Sequence, residues 1–401
     1  MNRVYPPVRG ATGRVLKDLA RSFAREGWHV TVVSSGPEAG EERKDGVRII
    51  RVKGAERPSG AFAYFWVWMK MWWVAMRLKS RHLVVTMTDP PLIVYAGHLV
   101  AKYKKSRHVH WSQDLYPDVF PALGVHFPKF IMRFMRNVRK KAMRKCDKVI
   151  VSGRCMAKHL VMEGLDAQKI AMVPNWPDIE LTDPDMADVT VVTPKLDDKA
   201  CRPFEKLLKT EKRFRVLYAG NLGRAHDVDT ILNAAEILQE READIEFVFV
   251  GDGVRFDHIA TQRGERRLDN IKLMPYQPAS QLRDVMESGD IHLITMREDA
   301  AGYIVPCKLY ASFAVARPAI LVGPEQSETA KVIQDFGTGF VVPPGDAEQL
   351  VRSILCFREN GDAWNDAYQG ALQAREVFTP HDSIDAWMER AWDAVKNDLD
   401  I

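Results

Sequence analysis

Apolar and polar positions follow two rhythms along this chain. Apolar runs of strand length recur at 29–33, 83–86, 149–152, 170–173, 216–219, 247–250, 271–274, 291–294, 319–322 and 340–342. Between them, apolar residues fall at helical spacing, as in Val15, Leu16, Leu19, Phe23 and again in Val228, Ile231, Leu232, Ala235, Leu238. Strands alternating with helices predict an α/β fold with parallel sheets and ligands at the C-terminal strand ends. The alternation is cleanest in the second half, and no internal repeat appears.

One stretch organises that half. The run 216–219 leads into Gly220-Asn221-Leu222-Gly223-Arg224 and then a helical pattern. A strand, a glycine turn and a helix start gather free backbone N–H groups and a positive dipole end, which suits a phosphate. Glycine lets an anion approach the backbone, and Arg224 can add a charge-assisted bond. The same turn also occurs in α/β proteins as a purely structural corner.

The beginning of the chain is unusual. Residues 1–5 lead at once into Pro6-Pro7, Gly10 and Gly13, and then the first helical pattern. A βαβ unit opens with a strand, and barely four residues are available for one. The expectation is a first strand that is very short, or one whose start lies upstream of Met1.

Residues 60–79 are the most apolar, with Trp66, Trp68, Trp72 and Trp73 among them. Phe62, Phe65, Trp66, Met69, Trp73 and Met76 fall on one helical face. Core packing, an interfacial helix and a membrane span all compete here, and Lys70 counts against the span. From 129 to 148 there are nine Lys/Arg against one acid, Asp147. Phe130, Ile131 and Phe134 make that run amphipathic, so a solvated helix face and attraction to anionic lipid compete. His108 to Pro117 reads as a strand entering a polar turn, and 178–212 as a linker with a surface excursion.

The 401 residues, 46% hydrophobic, suffice for two cores, and a net charge of +4 does not mark a nucleic-acid binder. Five scattered cysteines without a C-x-x-C spacing argue for reduced thiols and against a zinc site. No strand leads into G-x-G-x-x-G with a later acid, which disfavours a dinucleotide dehydrogenase.

Taken together, Tyr218-Ala219-Gly220-Asn221-Leu222-Gly223-Arg224-Ala225, Val250-Gly251-Asp252-Gly253, Val305-Pro306-Cys307-Lys308-Leu309-Tyr310, Ala316-Arg317-Pro318 and Val341-Val342-Pro343-Pro344-Gly345-Asp346 follow in order. The first half adds Tyr5-Pro6-Pro7, Asp89-Pro90-Pro91, Gln113-Asp114-Leu115-Tyr116-Pro117-Asp118 and Val173-Pro174-Asn175-Trp176. This succession resembles the GT-B glycosyltransferases of family 4, in particular their WbuB/WcaI-like branch from bacterial surface-polysaccharide assembly.

The resemblance implies two Rossmann-like domains facing across a cleft: an acceptor-side domain (1–190), a nucleotide-sugar domain (191–375) and a last segment (376–401) whose helix returns to the first domain. It implies a retaining transfer of a sugar from a nucleotide donor, UDP-linked before GDP-linked, with no metal or other cofactor. The acceptor would be a polyprenyl-diphosphate-linked or polysaccharide glycan at the cytoplasmic membrane face, with 60–79 and 129–148 touching anionic lipid. Gly220, Asn221, Gly223, Arg224, Gly251 and Lys308 would hold the diphosphate, Tyr276 would lie by the base, and Gly10 and Gly13 would approach from across the cleft.

Several positions depart from the family pattern. The paired glutamates of many members fall at Tyr303 and Ala311, leaving Glu328 as the candidate for ribose. The diphosphate-gripping Arg and Lys fall at Asn221 and His226, so Arg224 and Lys308 would compensate. The histidine near the reacting sugar falls at Gln113, leaving Asp114 or His110 as acid/base groups; Cys307 replaces a serine and Ala316 a glycine. These losses keep two alternatives open, a degenerate nucleotide-binding or membrane scaffold and a sugar-nucleotide epimerase.

Overall fold

The computed structural model describes residues 1–182 and 213–396 apart from Arg9, Arg57 and Ser59. Most of the expected linker, and the domain boundary at 190/191, lie outside the described residues.

The first half builds α1 (Ala11–Arg25), β1 (Thr31–Gly36), β2 (Gly40–Lys44), β3 (Val47–Lys53), α2 (Gly60–Arg77), β4 (Leu83–Thr86), α3 (Ile93–Lys104) and β5 (Arg107–Ser112). It continues with α4 (Lys129–Arg144), β6 (Lys148–Val151), α5 (Arg154–Met162), β7 (Ile170–Met172) and the short turn α6 (Ile179–Thr182). Its strands pair as β1-β3-β2 and β4-β5-β6-β7. The chain start joins the two groups. Asn2 N–H donates to Val33 O (3.1 Å), Ser35 N–H to Arg3 O (3.0 Å) and Met87 N–H to Met1 O (3.1 Å). Residues 1–3 thus occupy the centre of one continuous sheet, in the place of the short first strand. The β2–β3 hairpin is absent from the sequence reading. Its signal is Asp45-Gly46, both at positive φ (51° and 78°), the pair that a tight hairpin turn selects.

The second half builds β8 (Phe214–Asn221), α7 (Asp229–Glu240), β9 (Ile245–Asp252), α8 (Val254–Arg266), β10 (Ile271–Met274), α9 (Leu282–Glu287), β11 (Ile291–Thr295), α10 (Lys308–Ala314), β12 (Ala319–Val322), α11 (Glu328–Phe336), β13 (Gly339–Val342), α12 (Ala347–Glu359), α13 (Gly361–Val377) and α14 (Pro380–Val395). Its six strands are all parallel in the order β10-β9-β8-β11-β12-β13, a doubly wound sheet that reverses direction between β8 and β11. Helices cover both faces, so β9 is buried along seven of its eight residues and its apolar run is continuous rather than alternating. The expected boundary at 375/376 falls inside α13.

Helix α14 packs on the first domain. Ile384, Trp387 and Ala391 join that domain's core, where Trp387 lies against Phe23 (5.7 Å) and Trp111 (5.5 Å).

Two helix readings change in the structure. On α2 the buried positions are Val67, Met71 and Ala75, while Phe62, Phe65, Trp66 and Trp73 are exposed, so the aromatic face is not core. On α4 the buried side is Met132, Arg139, Ala142 and Met143, and Phe130 and Phe134 face solvent. On α4 the inner face includes Arg139, which is held there by Asp118 and Glu163. No helix among the described residues is long and apolar enough to cross a membrane.

Candidate active site

The reversal between β8 and β11 opens a crevice at their carboxyl ends. Strand β8 ends at Gly220-Asn221 and β9 beside it at Gly251-Asp252. A Cβ on Gly251 would stand 2.1 Å from Gly220 O, and one on Gly253 2.4 Å from Leu222 O, so these glycines let two chain turns touch. The helix after β8 starts only at Asp229, with Val228 before it. The turn is therefore longer than the sequence suggested, and its helix dipole does not sit at Gly223. Leu222 N–H is spent on Asp252 O (2.7 Å) and His226 N–H on Gly223 O (3.3 Å).

His226 fills the crevice floor. One ring nitrogen lies 2.7 Å from Thr295 O, the ring meets Tyr218 edge-on, and burial pulls its pKa down to about 3, so it is neutral. Lys308 opens α10 and folds back over the crevice mouth. Its Nζ donates to Asn221 O (3.3 Å) and stands 5.0 Å from the Tyr218 ring centre, and burial lowers its pKa. Tyr276 comes from the end of β10 into the neighbourhood of Tyr218. Arg224 is exposed and lies over Gly124 of the other domain, where a Cβ would stand 3.9 Å from its Cδ and Nη1.

The opposite wall belongs to the first domain. Gly10 and Gly13 serve the packing of α1: a Cβ on either would press Val4 at 2.9 and 2.8 Å. One turn on, Arg14 reaches the Cys307 side chain beside Lys308. It is tethered by Trp176 O (3.3 Å), Asp178 (3.5 Å) and Asp18 (3.9 Å). Sequence reading overlooked Arg14, although it directly follows the two glycines. The domains also meet as a ladder: Asp114 pairs with Ile304, and Leu115 N–H donates to Tyr303 O (2.8 Å).

Asp114 is half-buried beside a small, mainly apolar cavity whose lining includes Met87, Ile93 and Met143 together with Thr88, His110, Tyr116 and Arg139. Burial, and then the charge of Asp89, push its carboxyl up to about 7. A carboxylic acid that changes charge near neutrality is suited to moving a proton. The catalytic position Gln113 and the acid/base candidate His110 are engaged otherwise. Gln113 exchanges two amide hydrogen bonds with Asn175, both 2.8 Å, and offers no titrating proton. His110 is buried against Thr86 (3.0 Å) and drops to about 3.

Glu328 is also reassigned. Both its oxygens are taken by Arg154 of the first domain, at 2.6 Å from the backbone N–H and 2.9 Å from Nε, so it is not free for a ribose. Asp118, His159 and Glu163 cluster closely enough to surround a cation. Arg136 (2.6 Å) and Arg139 (3.1 Å) already pair with Asp118, and Lys140 (3.2 Å) and Arg139 with Glu163. That donor set is compensated by protein cations and does not fit a metal.

Two family models match the chain: a glycosyl transferase 4-like domain over residues 10–176 and a glycosyl transferases group 1 domain over 202–373. The chain belongs to the family-4 GT-B glycosyltransferases. Similar proteins include the probable glycosyltransferase WbjE of Pseudomonas aeruginosa, 24% identical over 69% of this chain and 66% of that protein. The putative colanic acid biosynthesis glycosyl transferase WcaI of Escherichia coli K12 is 27% identical over 66% of this chain. The matched part spans 66% and 63% of those two relatives' own lengths, under two thirds. Among solved structures, Anabaena Alr3699/HepE in complex with UDP superposes with a TM-score of 0.70 at 14% identity, covering 98% of both chains. WaaG, a glycosyltransferase involved in lipopolysaccharide biosynthesis, gives 0.67 at 13% identity over 96% of this chain and 97% of its own.

Proposed function

We propose that this protein transfers a sugar, with retention, from a UDP-linked donor to a lipid-linked or polysaccharide acceptor in surface-polysaccharide assembly. The observation that carries the reading is Lys308, held over the β8–β11 crevice by Asn221 O and the Tyr218 ring. In the transfer, the bond from the sugar's anomeric carbon to the diphosphate breaks and a bond to an acceptor hydroxyl forms. The leaving diphosphate gains negative charge, and Lys308 with Arg224 stabilises it without a metal. Asp114 stands on the acceptor side to move the hydroxyl proton. The UDP-bound neighbour HepE and the colanic acid relative WcaI support the donor and the pathway class.

Membrane contact belongs to the same proposal. Helices α2, α3 and α4 pack side by side, and their outer faces carry Phe62 (73% exposed), Trp66 (50%), Tyr103 (71%) and Phe130 (74%). Lys129, Arg133 and Lys141 are exposed on α4 as well. Aromatic rings flanked by cations suit the interface of an anionic bilayer.

The test is thermal unfolding with UDP, GDP and ADP. A ligand at about 100 times its Kd stabilises by about 2.7 kcal/mol. Stabilisation by UDP, lost in Lys308→Ala, supports the transferase. No response to any nucleotide in a folded sample overturns it in favour of a degenerate scaffold.

A further inference from the structure

A second contact between the domains lies where α5 begins. Glu328, 5% exposed, accepts hydrogen bonds from the Arg154 backbone N–H (2.6 Å) and from Arg154 Nε (2.9 Å). Arg154 Nη1 donates to Asp335 Oδ2 (2.7 Å) on the same helix, α11. The Glu328 carboxylate therefore caps the nine-residue α5 across the domain boundary, where the helix dipole favours an anion and an amide needs a partner.

Gly153 is fitted to this contact. A Cβ there would stand 2.7 Å from Glu328 Cγ and 2.9 Å from its Cβ. Its backbone is extended (φ −166°, ψ 159°), a conformation open to any residue. The missing side chain serves the neighbouring domain and not the turn. Helix α5 grips the second domain at another point, where His159 meets the Tyr303 ring edge-on at 5.1 Å. Tyr303 is joined to Leu115 by the interdomain ladder and lies five residues before Lys308.

We propose that Gly153, Arg154 and Glu328 form a clasp that holds the cleft closed over the Tyr303–Lys308 turn. Its release lets α5 leave Glu328 and Tyr303 together, so the turn that carries Lys308 is gripped only in the closed molecule. The clasp is independent of which sugar or nucleotide the crevice takes. Minor conformers of such equilibria hold roughly 0.1–10% of molecules, so losing one strong contact is enough to populate the open form.

The test is small-angle X-ray scattering of the full chain with no ligand. Gly153→Ala and Glu328→Gln should each give a larger radius of gyration than the parent, with unchanged circular dichroism. Gly153→Ala wedges the contact without straining its own backbone, and Glu328→Gln keeps the volume and removes the charge. Parent-like scattering from both folded variants overturns the clasp, and because no donor is present, that result leaves the transferase reading untouched.

Discussion

Asp114→Asn replaces a carboxyl whose pKa burial and Asp89 raise from 3.8 to about 7. Between those values the folded protein keeps a proton that the unfolded chain has lost. Stability therefore falls as pH rises through that window and is level above about 7. Full conversion of a shift of about 3 units at 1.36 kcal/mol each gives roughly 4 kcal/mol. Because the side chain is partly open to solvent, about half of that, roughly 2 kcal/mol, is the expected cost of the ionised form. Asparagine has the shape of the protonated acid and cannot ionise. At pH 8 the variant should be more stable than the parent by about 2 kcal/mol, a rise in Tm of roughly 4–8 °C for a domain of this size. At pH 4 the two should coincide. Urea or thermal unfolding at pH 4, 6 and 8 reads the difference directly. An advantage that does not grow with pH refutes the raised pKa and the assignment of Asp114 as a proton carrier. Loss of turnover in the same stabilised variant would be the signature of a strained functional group.

Lys308→Ala should lower kcat by about 10²–10³, the usual cost of one preorganised charge-stabilising donor, in donor-turnover assays with UDP-sugars. Trp387→Ala should cost about 3–5 kcal/mol in urea unfolding of the first domain, because the indole is fully buried against Phe23 and Trp111 although it lies near the end of the chain. Replacing Phe62, Trp66 and Phe130 by serine, with Arg133 and Lys141 by glutamate, should abolish co-sedimentation with anionic liposomes and leave Tm within a degree or two; retained binding refutes the lipid face. Arg136, Arg139 and Lys140 are unsuitable for that test, since all three are engaged with Asp118 or Glu163. Glu163 adds an acid-side effect. Despite its partial burial, its contacts with His159, Arg139 and Lys140 hold it down at about 2, so its stabilisation is complete above about 4.5 and disappears as pH falls toward 2. In Glu163→Gln that part of the acid unfolding curve should flatten.

Local pattern alone determined the α/β alternation, the strand 247–250 and the helix begun by Val15 and Leu16. These depend on the periods of buried positions and on residue types, which a sequence states directly. Lys308 was singled out by the family resemblance, and only the fold sets it beside Asn221. The glycines at 220 and 251 were legible as strand-end turns, but sequence suggested room for an anion, whereas the structure uses Gly251 to let its backbone meet Gly220 O. Pairing was not legible. Nothing local in Glu328 shows that its carboxylate is consumed by Arg154, 174 residues away, or that Gln113 is locked to Asn175, 62 residues away. Nor does the helical wheel say which face meets the rest of the domain: α2 is apolar nearly all round, and on α4 the aromatic residues Phe130 and Phe134 lie outside the buried side. Only the tertiary arrangement decides which side the neighbouring helix and strands cover. The raised pKa of Asp114 and the reach of Arg14 across the cleft belong to the same class, as both depend on groups brought together from distant parts of the chain. Periodicity is a property of neighbours in sequence, whereas charge compensation, burial and site chemistry are properties of neighbours in space.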